Sequence, residues 1–215
     1  RTAIDHFIQA RLETEGLSFH KDADSRDLIR RVTFNLTGLP PEPEAVEAFV
    51  KGQDSAAYDQ LVDELLDSPR YGERWGRHWL DVARYSEIGG WTQDGRSNPM
   101  GFHYRDWVIR AFNEDMPFSA FIRHQIAGDH LDSRAAVGTG FLALGPNYTS
   151  DGGDPESIAQ AKGETLDDRV DTFSRGLLGL TVSCSRCHDH KFDAIPIEDY
   201  YSIAGVFNNT REGET

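Results

Sequence analysis

The chain has 215 residues, a length that supports one sizeable hydrophobic core, and we expect a single domain over residues 1–215. Its 22 Lys and Arg against 36 Asp and Glu give a formal net charge of −14, which argues against a nucleic-acid partner and favours basic or metal-ion partners. No apolar run approaches the roughly 18 residues needed to cross a bilayer, so we expect no membrane insertion by this segment. Because the chain begins with Arg1 rather than Met, we expect it to be part of a longer protein.

Apolar residues recur at helical spacing along most of the chain, which predicts a mostly α fold, an irregular multi-helix bundle with long loops. In the first half, the predicted helices cover residues 2–15, Asp24 or Ser25 to Gly38, 43–51, 56–66 and 69–85. In the second half, they cover residues 101–113, 119–127, a segment beginning near 166, and 198–207. Residues 132–164 are weakly patterned and predict the longest irregular stretch.

The helix predicted at 69–85 carries an unusual histidine. Trp75, His78, Trp79 and Val82 follow one another at i, i+3, i+4 and i+7, so they share one face of the helix. The spacing therefore predicts that His78 lies on an apolar face between two indoles.

The most specific motif is Cys184-Ser185-Arg186-Cys187-His188 near the C-terminal helices. C-x-x-C-H is the attachment signature of a c-type haem: the two thiols form thioethers with the haem vinyl groups, and the histidine binds the iron. Cys184 and Cys187 are the only cysteines of the chain, so no disulfide framework competes for them. The motif predicts one covalent haem c.

Two other interpretations of this segment stay open. Cys184, Cys187, His188 and His190 offer the donors of a Cys2His2 zinc site, although zinc modules usually separate their ligand pairs by about a dozen residues. A redox-active dithiol is the second alternative, but such a motif normally follows a strand in a thioredoxin-like unit, and no strand pattern precedes it here.

Five segments, in order along the chain, resemble the cytochrome-associated domain of large secreted planctomycete-type cytochrome c proteins: Arg31–Pro41, Gly72–Tyr85, Tyr104–Ile109, Gln125–Asp129 and Cys184–Asp193. The resemblance spans nearly the whole chain. It implies a domain of a multidomain exported protein, with another cytochrome-like domain upstream, an uncharacterised domain downstream and an association with polysaccharide breakdown. It also implies a periplasmic or secreted location, because covalent haem attachment ordinarily finishes outside the cytoplasmic membrane.

A second iron ligand must come from upstream of the motif if the iron has one. Met100 and Met116 both precede Cys184, so the order of a small cytochrome with a downstream methionine ligand is excluded. His78 is the first candidate because of its aromatic surroundings, with the alternative that it is a core histidine bonded to a backbone carbonyl or to Asp81. Met100, Met116 and His103 are weaker candidates.

Other side chains are candidates for contacts with the haem. His190 is expected to bond a propionate or the backbone, and Arg186, Arg84 and Lys191 offer charges to the propionates. Trp75 and Trp79 are expected to be core residues or haem-pocket walls, whereas Trp91 in its glycine-rich loop is the best candidate for stacking on a sugar. The acidic residues near Asp151 and Asp154 are open to calcium binding or to a plain solvated loop.

These features predict a monohaem c-type cytochrome module that passes electrons to a redox partner or a neighbouring cytochrome domain, rather than a catalyst on its own. A haem enzyme with an open iron site, acting on peroxide or a carbohydrate-linked substrate, is the main alternative. A carbohydrate-binding or scaffolding module is the third.

Overall fold

A computed structural model describes residues 2–52, 55–89, 96–97, 100–148, 150 and 152–209. Ten α-helices lie in this part of the chain, with a single antiparallel pair of two-residue strands. The prediction of a mostly α, multi-helix fold is confirmed. The chain divides into two compact units, residues 1–64 and 65–215, and each is described by itself.

The first unit contains three complete helices and most of a fourth. They are α1 (Ala3–Thr14), α2 (Ser25–Thr37), α3 (Pro43–Lys51) and α4 (Ser55–Leu66). Asp24 caps α2 by accepting a hydrogen bond from the Asp27 N–H, and Gly38 ends it with a φ of 74°, a left-handed conformation that favours glycine. Both ends of α2 therefore lie where its sequence signals predict them.

The second unit contains the other helices and the strand pair. The elements are α5 (Pro69–Val82), β1 (Ile88–Gly89), β2 (Arg96–Ser97), α6 (Gly101–Asn113), α7 (Phe118–Ala127), α8 (Gly140–Ala143), α9 (Pro155–Phe173) and α10 (Ile197–Asn208). Short 3₁₀ helices cover Gly128–His130, Ala135–Thr139 and Val182–Arg186, and a π-helical turn covers Ser174–Leu178.

The irregular stretch predicted at 132–164 is partly wrong: a 3₁₀ helix and α8 lie in its first half, at 135–143, and α9 covers its last ten residues. Helix α9 begins at Pro155, eleven residues before the predicted start near 166. The Asp154 side chain accepts hydrogen bonds from the N–H groups of Glu156 and Ser157, and proline is well suited to the first helical position. The cap and proline therefore start a helix where the neighbouring glycines suggested a break.

Two clusters of buried side chains stabilise the second unit. The first is aromatic and joins α5, α6, α7 and α8: its largest members are Tyr104, Trp107, Phe121 and Phe141. The second joins α9 and α10 to the segment between them, and it contains Val170, Val182, Ile195, Tyr200, Ala204 and Phe207. Val182 and Ile195 flank the C-x-x-C-H motif in sequence, so this second cluster anchors the motif from both sides.

Candidate functional site

The two thiols of the motif lie on the solvent side of a 3₁₀ turn. Cys184 and Cys187 are free and exposed, whereas Val182 and Ser185 are 2% and 0% exposed. Because side chains three residues apart eclipse each other in a 3₁₀ helix, the buried pair and the exposed pair occupy different sides of the turn. The turn thus holds both thiols outward on a packed base.

His188 follows the turn and is also exposed. Its Nδ1 lies 2.7 Å from the backbone oxygen of Asp189, so the Nδ1–H donates to that carbonyl. In a neutral imidazole with a proton on Nδ1, the lone pair is on Nε2. The hydrogen bond therefore selects the tautomer that binds a metal through Nε2, and such bonds also orient the ring and raise its basicity.

The donor set fits a haem c. Thioether formation needs two accessible reduced thiols, and the axial bond needs an imidazole nitrogen with a free lone pair; the turn and His188 supply these. By contrast, both ring nitrogens of His190 are engaged by Thr181 and by backbone N–H groups. In the described ranges no group of three or more His, Cys, Asp or Glu side chains is arranged to hold a metal ion.

His190 lies beneath the loop that follows the motif, with 6% of its side chain exposed. Its Nε2 is 2.8 Å from the Thr181 hydroxyl. Its Nδ1 accepts hydrogen bonds from the N–H groups of Asp193, at 2.9 Å, and Phe192, at 3.3 Å. Of the two expected roles, the structure shows the bond to the backbone; a bond to a propionate stays a prediction.

Arg84 is engaged in an ion-pair cluster with helix α9. Its guanidinium donates to both Asp168 and Asp171, and Asp171 also accepts from Arg175 at 2.7 Å. Burial raises the pKa of Asp168 despite the opposing effect of Arg84. Burial also acts to raise the pKa of Asp171, but the hydrogen bonds from Arg175 and Arg84 outweigh it and lower that pKa. The role of Arg84 as a propionate partner stays a prediction, and it requires a guanidinium that already binds two carboxylates.

Arg186, within the motif, is more accessible. Its side chain is 40% exposed, and Nη1 lies 3.4 Å from Asp167 Oδ2. Asp167 also accepts a 2.8 Å hydrogen bond from the Tyr200 hydroxyl, and burial, followed by this carboxylate, raises the pKa of Tyr200. Arg186 is thus somewhat more exposed than Arg84, and its role as a propionate partner stays a prediction.

The expectation that two indoles shield His78 is wrong. His78 is exposed, and Trp75, whose ring centroid lies 5.5 Å from that of His78, is 38% exposed. The buried face of α5 is instead Gly72, Gly76 and Leu80, since the two glycines allow α6 to approach closely. Iron ligation by His78 stays a prediction, now from an exposed position.

Trp79 belongs to the aromatic core. Its Nε1–H donates to Gln125 Oε1 at 2.7 Å, and its ring stacks on Phe141 at 5.7 Å between centroids. The expectation of a core role is thus met for Trp79 and wrong for Trp75, which is 38% exposed, and a haem-wall role is untested for both.

The remaining candidates are scattered. Met100 is 45% exposed and His103 is exposed, while Met116 packs against the aromatic cluster. Asp154 caps α9, and hydrogen bonds from Ser157 lower its pKa. Trp91 and Asp151 lie outside the described residues.

Sequence reasoning missed three residues that fix the motif. The buried Ser185 hydroxyl donates to the Ile195 oxygen at 3.1 Å, Thr181 contacts His190, and Asp189 accepts a 3.0 Å hydrogen bond from the Ile197 N–H at the start of α10. An aspartate shortly before a predicted helix was the one available signal, as a candidate cap.

The structure is thus a mostly helical domain that presents a C-x-x-C-H motif on an anchored surface turn. The chain belongs to the PSCyt2 family, a planctomycete cytochrome C family domain with the description "Protein of unknown function (DUF1549)", which matches residues 3–212. No curated protein and no solved structure shows a significant match. Of the helices in the described ranges, none has the length and apolar composition to span a membrane.

Proposed function

We propose that this domain is a monohaem c-type cytochrome module that transfers electrons within, or from, a larger exported protein. The single observation that supports it is the geometry of the motif: two reduced, exposed thiols on one packed turn, followed by an imidazole whose Nδ1–H is already bonded. The family assignment agrees with a cytochrome context.

The residues that would hold the haem have separate roles. Cys184 and Cys187 would form the thioethers, His188 Nε2 would bind the iron, and Arg186 would face a propionate. The bound haem supplies one-electron redox chemistry at an iron whose potential depends on its ligands and surroundings. The protein's part is to hold the two thiols and to fix the orientation of the imidazole.

Exposed apolar side chains next to the motif support a haem lying on this surface. Phe192 is 83% exposed, and Tyr201 is 58% exposed with its hydroxyl donating to the Arg186 oxygen at 3.1 Å. Burying apolar area stabilises a protein by about 25 cal/mol per Å², and these exposed aromatic side chains do not gain that stabilisation. A flat macrocycle tethered at Cys184 and Cys187 would cover such area.

The net charge of −14 suits a basic docking surface on the redox partner, because opposite charges speed encounter. We place the intact protein outside the cytoplasmic membrane, where haem attachment to C-x-x-C-H is completed. The link to polysaccharide breakdown belongs to the same proposal.

Expression of residues 1–215 in a host with a cytochrome c maturation system tests the proposal. We expect the purified chain to keep haem staining on a denaturing gel and to exceed its sequence mass by one haem. The double variant Cys184→Ala/Cys187→Ala should fold and carry no covalent haem. A folded wild-type chain that loses all colour on acid–acetone extraction, or that holds stoichiometric zinc, would overturn it.

The spectrum of the same sample distinguishes electron transfer from the enzyme alternative. Ligation by His78 gives a six-coordinate low-spin iron, and His78→Ala should then become high-spin and bind cyanide more readily. A methionine ligand would instead give a long-wavelength sulfur-to-iron charge-transfer band in the oxidised protein and a higher potential. A wild-type spectrum that is already high-spin excludes His78 as ligand and favours an enzyme with an open iron site.

A further inference from the structure

The Asp189 carbonyl that orients His188 is itself fixed by a hydrogen bond on the opposite side of its peptide group. The oxygen of Asp189 and the N–H of His190 belong to one planar peptide group and point in opposite directions. That N–H donates to the Ile195 oxygen at 2.9 Å. Fixing the N–H therefore fixes the direction of the Asp189 carbonyl, which accepts the His188 Nδ1–H at 2.7 Å.

The Ile195 oxygen is fixed in turn by buried groups. It accepts a second hydrogen bond from the Ser185 hydroxyl at 3.1 Å, and Ser185 is fully buried between the two cysteines. The Ile195 N–H donates to the Asp193 oxygen at 2.8 Å. Ile195 is thus part of a tight, hydrogen-bonded turn.

The ring of His190 closes this turn. Its Nδ1 accepts from the Asp193 and Phe192 N–H groups, so the ring carries its proton on Nε2 and donates it to the Thr181 hydroxyl. Thr181 lies directly before the 3₁₀ turn that carries the thiols. One imidazole therefore ties the loop after the motif to the residue before it.

We propose that His190 and Ser185 are positioning residues that orient the iron-binding imidazole through the Asp189–His190 peptide. This inference rests on the proposed haem-binding function and assigns a role to residues that do not touch the iron. Outer hydrogen bonds of this kind typically change metal affinity 10- to 100-fold. Loss of the bond to His188 Nδ1 makes the imidazole a weaker donor, which destabilises the oxidised iron and raises the midpoint potential.

Four variants test the proposal in the haem-loaded chain. His190→Ala removes the hydrogen bonds of both ring nitrogens, and His190→Asn keeps an acceptor near the position of Nδ1. Ser185→Ala removes one bond to Ile195, and His130→Ala is a control because its side chain is 83% exposed. We expect His190→Ala to retain its thioethers, to exchange His188 for added imidazole at about tenfold lower concentration, and to show a raised potential. His190→Asn should recover most of both changes.

A purely structural role of His190 would lower the melting temperature and leave the iron unchanged. If His190→Ala keeps the wild-type potential and the wild-type imidazole affinity, the proposal is wrong. The same holds if Ser185→Ala and His190→Ala change those properties no more than His130→Ala does.

Nitrogen-15 NMR of the haem-free chain separates this inference from the proposed function. We expect His188 to carry its proton on Nδ1 in the wild type, and to lose that preference in His190→Ala as the amide proton of residue 190 exchanges faster. An Nε2–H tautomer of His188 in the wild type would overturn the positioning role. A chain that never receives haem overturns the proposed function, and the NMR result still decides the positioning role.

Discussion

Substitutions of Arg84, which follows α5 and pairs with α9, distinguish two contributions to the free energy of unfolding. One comes from its ion pairs and the other from its backbone conformation. Arg84 is 31% exposed, and its partners Asp168 and Asp171 are 12% and 15% exposed. Breaking a buried ion pair by removing one partner costs about 3–5 kcal/mol. Asp171 keeps Arg175 at 2.7 Å, and part of the site reaches solvent, so we expect Arg84→Ala to lower the free energy of unfolding by about 2–3 kcal/mol.

The backbone at Arg84 adds a matched comparison. Its φ is 53°, a left-handed conformation that costs a non-glycine residue about 1–2 kcal/mol. Arg84→Gly loses the same ion pairs as Arg84→Ala but relieves this strain, so it should be more stable than Arg84→Ala by about 1 kcal/mol. Arg70→Ala, which removes an exposed pair with Glu73, serves as the control and should change stability little.

The pH dependence has a definite sign. Asp168 has a pKa above its ordinary 3.8 and Asp171 has one below it, and removal of Arg84 moves both upward because a cation that lowers each is lost. The variant therefore binds more protons in its folded state than the wild type as pH falls. The stability loss caused by Arg84→Ala should be largest near pH 7 and should shrink as pH falls towards 4.

Urea unfolding followed by tryptophan fluorescence measures these differences, since all four tryptophans lie in residues 65–215. For a unit of this size, a loss of about 2–3 kcal/mol corresponds to a fall in melting temperature of about 4–12 °C. Equal stability of Arg84→Ala and Arg70→Ala at pH 7 would refute the role assigned to the cluster. A stability loss that grows as pH falls would refute the sign.

Two further predictions concern a buried polar contact of the aromatic cluster and the close approach of α5 to α6. Gln125→Leu should cost about 1–3 kcal/mol in unfolding free energy, because the buried amide oxygen accepts from Trp79 and Tyr104, each at 2.7 Å; a loss no larger than that of a surface variant would contradict it. Gly72→Ala should lower the melting temperature because its new Cβ would lie 2.4 Å from a backbone oxygen of α6, a cost of about 1–3 kcal/mol. Gly205→Ala, where the Cβ meets nothing within 4 Å, should instead raise stability by about 0.5–1 kcal/mol; equal effects of the two substitutions would show that helix contact does not decide the outcome.

Local signals predicted most helix boundaries. Asp24 and Gly38 bound α2 at the expected residues, because capping depends on neighbouring residues alone. The start of α9 was missed because the glycines beside Asp154 and Pro155 outweighed a cap and proline that are themselves a helix start. The local sequence does not show which of these competing signals the tertiary fold uses.

The candidate site was likewise predictable from the sequence only in part. The C-x-x-C-H motif was recognisable because the proposed haem attachment requires fixed spacing, and its position between α9 and α10 follows from the helix pattern. The exposure of His78 was not predictable in this way. Periodicity shows which residues share a face of α5, but it does not show that Gly72 and Gly76 make another face the buried one. The contacts of Ser185 and His190 depend on a loop closing on itself, for which no sequence pattern exists.

The outward position of Cys184 and Cys187 has a consequence for handling. Exposed thiols are open to alkylation, to sulfenic acid formation and to disulfide exchange. A haem-free preparation kept in air will accumulate oxidised forms and covalent dimers, and such a sample has no thiols left to react with a vinyl group. Haem added to a reduced, anaerobic sample and to an aerated one should therefore give different yields from the same polypeptide, and free-thiol titration should precede any conclusion from a colourless protein.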